Sequence, residues 1–298
     1  LGRQRADWLG GFNYTRACSL VYGGYGNVFS VGRVQTPTLR LVVERDLEID
    51  SFKSKDFFGI TGIFRDLEAN WIVPDSAKGD EEGRCLDESI VKAVVEKCKG
   101  KDAKVVEATK KAKEQKAPLC LSLSELQKLA NTQFGYDAKE VLDIAQSLYE
   151  KHKATSYPRT DCGYLPTSQK GDVQTILNNL KGFDQYISKC DHNFKSRVWN
   201  DKKVANSSHH AIIPTMKSMD GSRLSKDEAN VYELIARQYL IQFYPPFEYA
   251  DKQIDAEVSG GLFIAKQKDV LAQGWKALFP QSKSASQGGK SGAGKTMP

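Results

Sequence analysis

No stretch of these 298 residues approaches the roughly 20 apolar residues that a membrane-spanning helix needs. The longer apolar stretches are interrupted: Leu39 to Val43, for example, is broken by Arg40 and stops at Glu44-Arg45-Asp46. No basic segment followed by an apolar one opens the chain, so a cytosolic location is the expectation. The six cysteines are scattered, with no C-x-x-C pair. That spacing argues against a zinc ribbon and a secreted disulfide framework, and favours reduced, mostly structural thiols. A large excess of one charge sign is lacking: 43 basic against 37 acidic residues leave a net of only +6. So mild a basicity suits a nucleic-acid partner without requiring one.

What is there is ordinary in bulk and particular in detail. Hydrophobic content of 40% with 27% charged residues describes a globular protein, and the length suggests about two domains. Helical spacing of Trp8, Leu9, Phe12, Ala17 and Leu20 predicts a helix over 3–21, broken by glycines near 23–26. A second helix is expected from a Thr36 cap, with Pro37 at its first position, to about Ile49. Strands are expected at 57–64, 69–73 and 103–109, with a helix at 87–99 stopped by Gly100. Ser122 with Glu125, Asp137 with Glu140, and Ser225 with Glu228 each match a capping box. They predict helices over 123–134, 138–152 and 226–243, with another at 168–180. Strand character returns at 248–258 and 262–267. The pattern is multidomain α+β: a β-rich block split by a helical insertion, with helices ahead of both. The tail at 281–298 is low in complexity.

Ahead of Tyr157 a short strand is expected, and Pro158 and Arg159 follow it. An ordinary phenol, with a pKa near 10, is a poor nucleophile at neutral pH. A cationic neighbour such as Arg159 favours phenolate and can hold the attacked phosphate in a bidentate grip. Attack would create a phosphotyrosine ester and conserve the energy of the broken phosphodiester. A tyrosine taken alone is more often a packing residue. The whole string, Tyr157-Pro158-Arg159-Thr160-Asp161-Cys162 with Tyr164-Leu165-Pro166, carries the functional reading.

That string resembles the active-site motif of the type IA DNA topoisomerases, in the bacterial topoisomerase III branch, where proline rather than methionine follows the tyrosine. The resemblance implies a 5′-phosphotyrosine link at Tyr157, with Arg159 on the scissile phosphate. His209-His210-Ala211-Ile212-Ile213-Pro214-Thr215 is similar to a second family segment. It places His209 on phosphate near the nucleophile, as a protonated imidazole allows, and His210 where the topoisomerase I branch has glutamate. Read without the family, the two histidines are a surface feature or a weak metal site lacking further ligands. Ser30-Val31-Gly32-Arg33-Val34-Gln35-Thr36-Pro37 resembles the family's groove-lining segment. It implies DNA-backbone contacts from Arg33 and Gln35, with Ser30 and Gly32 in the same loop. Arg3 and Asp7 match an R-x-x-x-D helix bordering that groove, although a salt-bridged helical turn explains them as well. Asp161 is expected to orient Arg159 and shape the loop, or to cap.

The resemblance covers about residues 3–280 and implies a toroidal core of mostly helical domains. In that layout 1–51 begins the gate-base domain, 52–116 with 247–280 form a split β-rich hinge domain, and 117–246 bear Tyr157. It implies an ATP-independent enzyme acting on single-stranded and underwound duplex DNA, cytoplasmic, nucleoid-associated and monomeric. The family's Mg²⁺ belongs to a Toprim domain not found here, so no metal ligand is expected in this chain, which reads as a fragment of something longer. Gly289 to Thr296 fits the phosphate-loop expression G-x-x-x-x-G-K-[ST], but it lacks a preceding strand and a following helix, and ATP binding is rejected. The basic run Lys110-Lys111-Ala112-Lys113 reads as a solvated face and receives no role. Recombinases and relaxases also use tyrosine, but they need more arginines and histidines on the phosphate, or a histidine metal triad. A single-strand-binding module without catalysis is the non-enzymatic alternative.

Overall fold

The computed structural model describes residues 1–23, 26–65, 67–77, 79–191, 194–219 and 223–279. The low-complexity tail, and the phosphate-loop match within it, lie outside those residues. The described chain divides into two compact units: residues 1–59 with 73–92, and 60–72 with those from 93 onward.

The first unit holds α1 (Gly2–Tyr22) and α2 (Gln35–Asp50). Helix α2 starts earlier than its sequence suggests, with Val34 at the cap and no side-chain cap bond. Thr36 lies inside the first turn, where its Oγ1 accepts the Gly32 N–H at 3.0 Å. Pro37 is the third helical residue, still within the turn whose amides lack helical partners. Neither helix buries a residue. Trp8, Leu9, Phe12 and Leu20 recur at helical spacing yet remain exposed. Polar bonds fix the returning chain instead: Thr15 Oγ1 accepts from Val31 N–H at 2.9 Å, and Ser19 Oγ from Phe29 N–H at 2.9 Å.

The second unit contains an antiparallel sheet of β1 (Thr61–Phe64), β2 (Leu67–Trp71), β3 (Lys104–Gln115), β4 (Phe247–Val258) and β5 (Gly261–Ala272). The spatial order is β1-β2-β5-β4-β3, so strands from both sides of the helical stretch meet in one sheet. Strand β3 runs six residues past the expected Thr109, and the lysine-rich stretch continues the ladder to Gln115↔Phe247. Lysine is well suited to such an edge, where it discourages pairing with another chain. Helix α3 (Glu88–Cys98) precedes β3, and Cys98 Sγ donates to Val258 O of β4 at 3.3 Å.

Between β3 and β4 lie α4 (Leu123–Phe134), α5 (Ala138–Glu150), the short helices α6 (Val173–Asn179), α7 (Asp184–Ile187) and α8 (Asp201–Ala205), and α9 (Lys226–Leu240). Helices α5 and α9 carry complete capping boxes, as their sequences predict. At α4 only half the box forms, because the Glu125 carboxylate pairs with Lys128 at 2.8 Å. Gly135 ends α4 in the left-handed region at φ 78°, which a side chain would strain. Helices α4, α5 and α9 pack together, and α9 supplies Val231, Leu234, Ile235, Ala236, Tyr239 and Leu240 to the core. The buried amides of Gln238 and Gln242 donate to Leu119 O and Pro118 O at 2.7 Å each, fastening the segment before α4 to this hub.

One buried polar cluster joins α5 to α9. Glu228 accepts from Ser147 Oγ at 2.6 Å and from Ser225 N–H at 2.8 Å, and its Oε1 lies 3.1 Å from His152 Nε2. Burial opposes the Glu228 charge, but Ser147, Ser225 and His152 outweigh it and bring the carboxyl down to about 2. A depressed carboxylate stabilises fully above its unfolded value near 4.5, and that contribution fades as pH falls toward 2. The shift corresponds to roughly 3 kcal/mol. Glu228→Gln is therefore expected to lower the unfolding free energy by about 2–4 kcal/mol at neutral pH. In urea titrations the wild-type and variant stabilities should converge as pH drops from 5 to 2; a constant gap would contradict the assignment.

Candidate active site

Tyr157 follows a segment locked by backbone pairing. Past α5, Lys153 turns the chain at φ 56°. The short strand expected before Tyr157 is a single bridge, Thr155↔Pro214. Around it, Ser156 N–H donates to Ile213 O at 2.9 Å and Thr215 N–H to Ala154 O at 2.9 Å. Ser156 Oγ adds two bonds, accepting from Ile213 N–H at 2.9 Å and donating to Ala211 O at 3.0 Å. The residues just before Tyr157 are thus zipped to those just after His209-His210. Thr160 closes the other side: its Oγ1 donates to His209 O at 3.1 Å, and its carbonyl accepts the Leu123 N–H at 2.9 Å.

The outcome is a ring contact between two candidate residues far apart in sequence. The Tyr157 and His209 ring centroids are 4.5 Å apart at 49°. Tyr149 of α5 contacts the Tyr157 ring edge-on at 5.4 Å and 79°. Tyr157 is half-buried, whereas Arg159 and His209 are exposed. Among the described residues Arg159 makes no hydrogen bond or ion pair, so its fork is free for an oxyanion. The packing tyrosines differ: burial pushes the Tyr232 and Tyr244 phenols up to about 12, and the Tyr244 hydroxyl donates to Tyr186 O at 2.6 Å.

Two neighbours are held by local bonds. Asp161 accepts from Ser207 Oγ at 2.6 Å and has no bond to Arg159, so it ties the loop to the segment before His209. His210 spends both ring nitrogens locally, on Ala211 O at 2.8 Å and on the Gln169 amide nitrogen at 3.0 Å. His209 has no such bond among the described residues. Sequence reasoning gave no role to Tyr149, Ser156 or Thr160, although Thr160 lies within the quoted string and Ser156 directly precedes it. It also missed Lys217, whose Nζ donates to His152 O at 2.9 Å.

In the other unit the structure gathers Asp7, Arg33, Ser30 and Gln35. Arg33 grips Asp7 with Nε at 2.7 Å and Nη2 at 3.2 Å, and the Gln35 amide donates to Ser30 Oγ at 2.6 Å. Donating to the Asp7 carboxylate raises the Arg33 guanidinium above its ordinary value. Nη1 is left for another acceptor. A Cβ on Gly32 would stand 3.0 Å from the Gln35 amide nitrogen, so glycine keeps that side chain in place. Arg3 is exposed on α1 and makes no hydrogen bond or ion pair among the described residues. Among the described residues no three His, Cys, Asp or Glu side chains gather to hold a metal ion, and nothing here fits Mg²⁺. No helix among them is long and apolar enough to cross a membrane.

A protein-family profile described as DNA topoisomerase matches residues 1–294. The chain is 43% identical to DNA topoisomerase 3 of Vibrio cholerae, over 94% of this chain and 46% of that protein. It is 42% identical to the Pasteurella multocida protein of the same name, over 96% and 48%. Against that of Bacillus subtilis the identity is 37%, over 94% and 38%. Among solved structures, full-length topoisomerase I from Thermotoga maritima superimposes with a TM-score of 0.66 at 22% identity, covering 92% of this chain and 44% of that one. The chain thus spans less than half the length of these curated relatives.

Proposed function

The chain belongs to the type IA DNA topoisomerase family, in its topoisomerase III branch, and from that premise we propose that Tyr157 is its DNA-cleaving nucleophile. The phenolic oxygen attacks the phosphorus of a single-strand phosphodiester. A bond forms from Tyr157 to the 5′-phosphate, the 3′-oxygen leaves and takes up a proton, and the phenolic proton is lost. Attack by the same 3′-hydroxyl reverses the step, so resealing needs no ATP. Arg159 holds the non-bridging oxygens and His209 supplies a second donor as negative charge builds on them. The observation that carries this reading is the Tyr157–His209 ring contact, with Arg159 two residues from Tyr157, exposed and unpaired among the described residues.

The remaining assignments rest on the family. In a toroidal molecule, 1–51 would open the gate-base domain, 52–116 with 247–280 would form the hinge domain, and 117–246 would carry the tyrosine. Arg33, Gln35, Ser30, Gly32, Arg3 and Asp7 would line the path of a single strand, and Asp161 would shape the cleavage loop. The family's Mg²⁺ would be held by a part of the enzyme outside this chain. The enzyme would relax or unlink cytoplasmic, nucleoid-associated DNA as a monomer. Incubating the full-length enzyme with single-stranded DNA and denaturing the mixture should trap a protein–DNA adduct. Binding without an adduct would favour a single-strand-binding module.

The Asp7–Arg33 pair supports a separate expectation. Arg33→Ala should weaken oligonucleotide binding and reduce the salt dependence of log K by about 0.7, one single-strand phosphate contact. Asp7→Ala should weaken binding less, because it removes the brace and keeps the charge. Equal affinities for Arg33→Ala and wild type would remove Arg33 from the DNA path.

A further inference from the structure

Strand register gives the lysine run of β3 a direction. Side chains alternate along a strand, and cross-strand partners share a face. Lys111, Asp251 and Lys268 therefore form one row, with Lys113 beside Tyr249 in the next and Lys266 beside Gln253 in the previous one. All four lysines are exposed. Asp251 is the single carboxylate in these three rows, and it pairs with Lys113 at 2.7 Å. Lys111, Lys266 and Lys268 have no ion pair among the described residues. A net charge of about +3 thus spreads over two strand spacings, about 10 Å. Lys110, from the same run, points to the opposite face, where Lys252 is paired with Asp269 at 3.2 Å.

We propose that the face bearing Lys111, Lys113, Lys266 and Lys268 is a duplex-DNA contact that takes the phosphates of a double-stranded segment without reading sequence. The proposal rests on the chain's membership in a DNA-handling family and adds a second nucleic-acid surface to the strand path already described. No hydrogen bond or ring contact joins this face to Tyr157, Arg159 or His209 among the described residues.

Two features favour duplex over single strand. Single-strand platforms stack bases on open aromatic rings. Here the aromatic ring within the three rows, Tyr249, is covered by the Lys268 ammonium at 4.2 Å. What remains is point charge for phosphates. Edge protection explains lysines on β3, but charge on either face would serve that purpose equally. It does not explain why Lys266 and Lys268 of β5 share that face with Lys111 and Lys113 of β3.

The test measures binding of the 298-residue chain to a short blunt duplex and to oligo(dT) across a salt series. The quadruple Lys→Gln variant at 111, 113, 266 and 268 should lose at least tenfold in duplex affinity, with the slope of log K against log salt falling by about 3. Its oligo(dT) binding should hold, and Lys110→Gln should leave both curves in place. Matching circular dichroism and unfolding midpoints establish that the variants fold. A slope change below about 1, or a Lys110→Gln effect equal to that of Lys111→Gln, overturns the proposal. The adduct assay with Tyr157 reports on the cleavage reading independently, so the two can fail separately.

Discussion

Tyr157→Phe in the full-length enzyme should abolish the covalent DNA adduct and cut strand-passage activity by at least about 10⁴-fold. The substitution is nearly isosteric. Phenylalanine keeps the ring that packs at 4.5 Å on His209 and at 5.4 Å on Tyr149. The zipper of 154–156 on 211–215 uses backbone atoms and the Ser156 hydroxyl, so the loop should keep its shape. Only the attacking oxygen is lost. Oligonucleotide affinity should stay within about twofold of wild type, since the cationic groups that contact phosphates are unchanged. Filter binding alongside denaturing gels separates the outcomes: adduct persisting in Tyr157→Phe refutes the nucleophile, and joint loss of adduct and binding points to a structural role.

The second large effect is expected at Arg159. Arg159→Ala should slow single-turnover cleavage by about 10²–10³-fold, the range for removing one preorganised donor to a developing oxyanion. Because Asp161 is occupied by Ser207 and Arg159 has no partner among the described residues, the loss should come from the phosphate contact rather than from a disrupted ion pair. Arg159→Lys should recover part of the rate, since it restores charge without the two-pronged fork. Rapid-quench cleavage of an end-labelled strand measures both. If alanine and lysine variants both cleave at the wild-type rate, the guanidinium plays no part in the chemistry.

Local chemistry made much of this fold legible. Asp137 with Glu140 and Ser225 with Glu228 announce α5 and α9, because each box satisfies its own exposed amides whatever packs above it. Reading failed where bonding or packing departs from what the local pattern suggests. Thr36 looks like a cap, yet its hydroxyl turns back to Gly32 and the helix opens earlier. The strand is expected to end at Thr109, ahead of the lysines, yet β4 pairs with them as far as Gln115↔Phe247. The spacing of Trp8, Leu9 and Phe12 predicts a helix correctly but not its burial, which depends on neighbours that periodicity does not reveal.

The candidate site divides in the same way. Tyr157 and Arg159 sit in one short string, and the pair can be singled out there as a candidate. The approach of His209 to Tyr157 depends on the pairing of Ser156 with Ile213, which no local rule encodes. Asp161 shows the cost of reading locally: its closeness in sequence to Arg159 suggests a pair, while Ser207 holds its carboxylate.

The most direct test is to trap the adduct with end-labelled single-stranded DNA, digest the protein, and map the nucleotide-bearing peptide by mass spectrometry. The account requires a 5′-phosphate ester on the peptide containing Tyr157. An ester on another side chain, or a 3′-phosphate link, would contradict it.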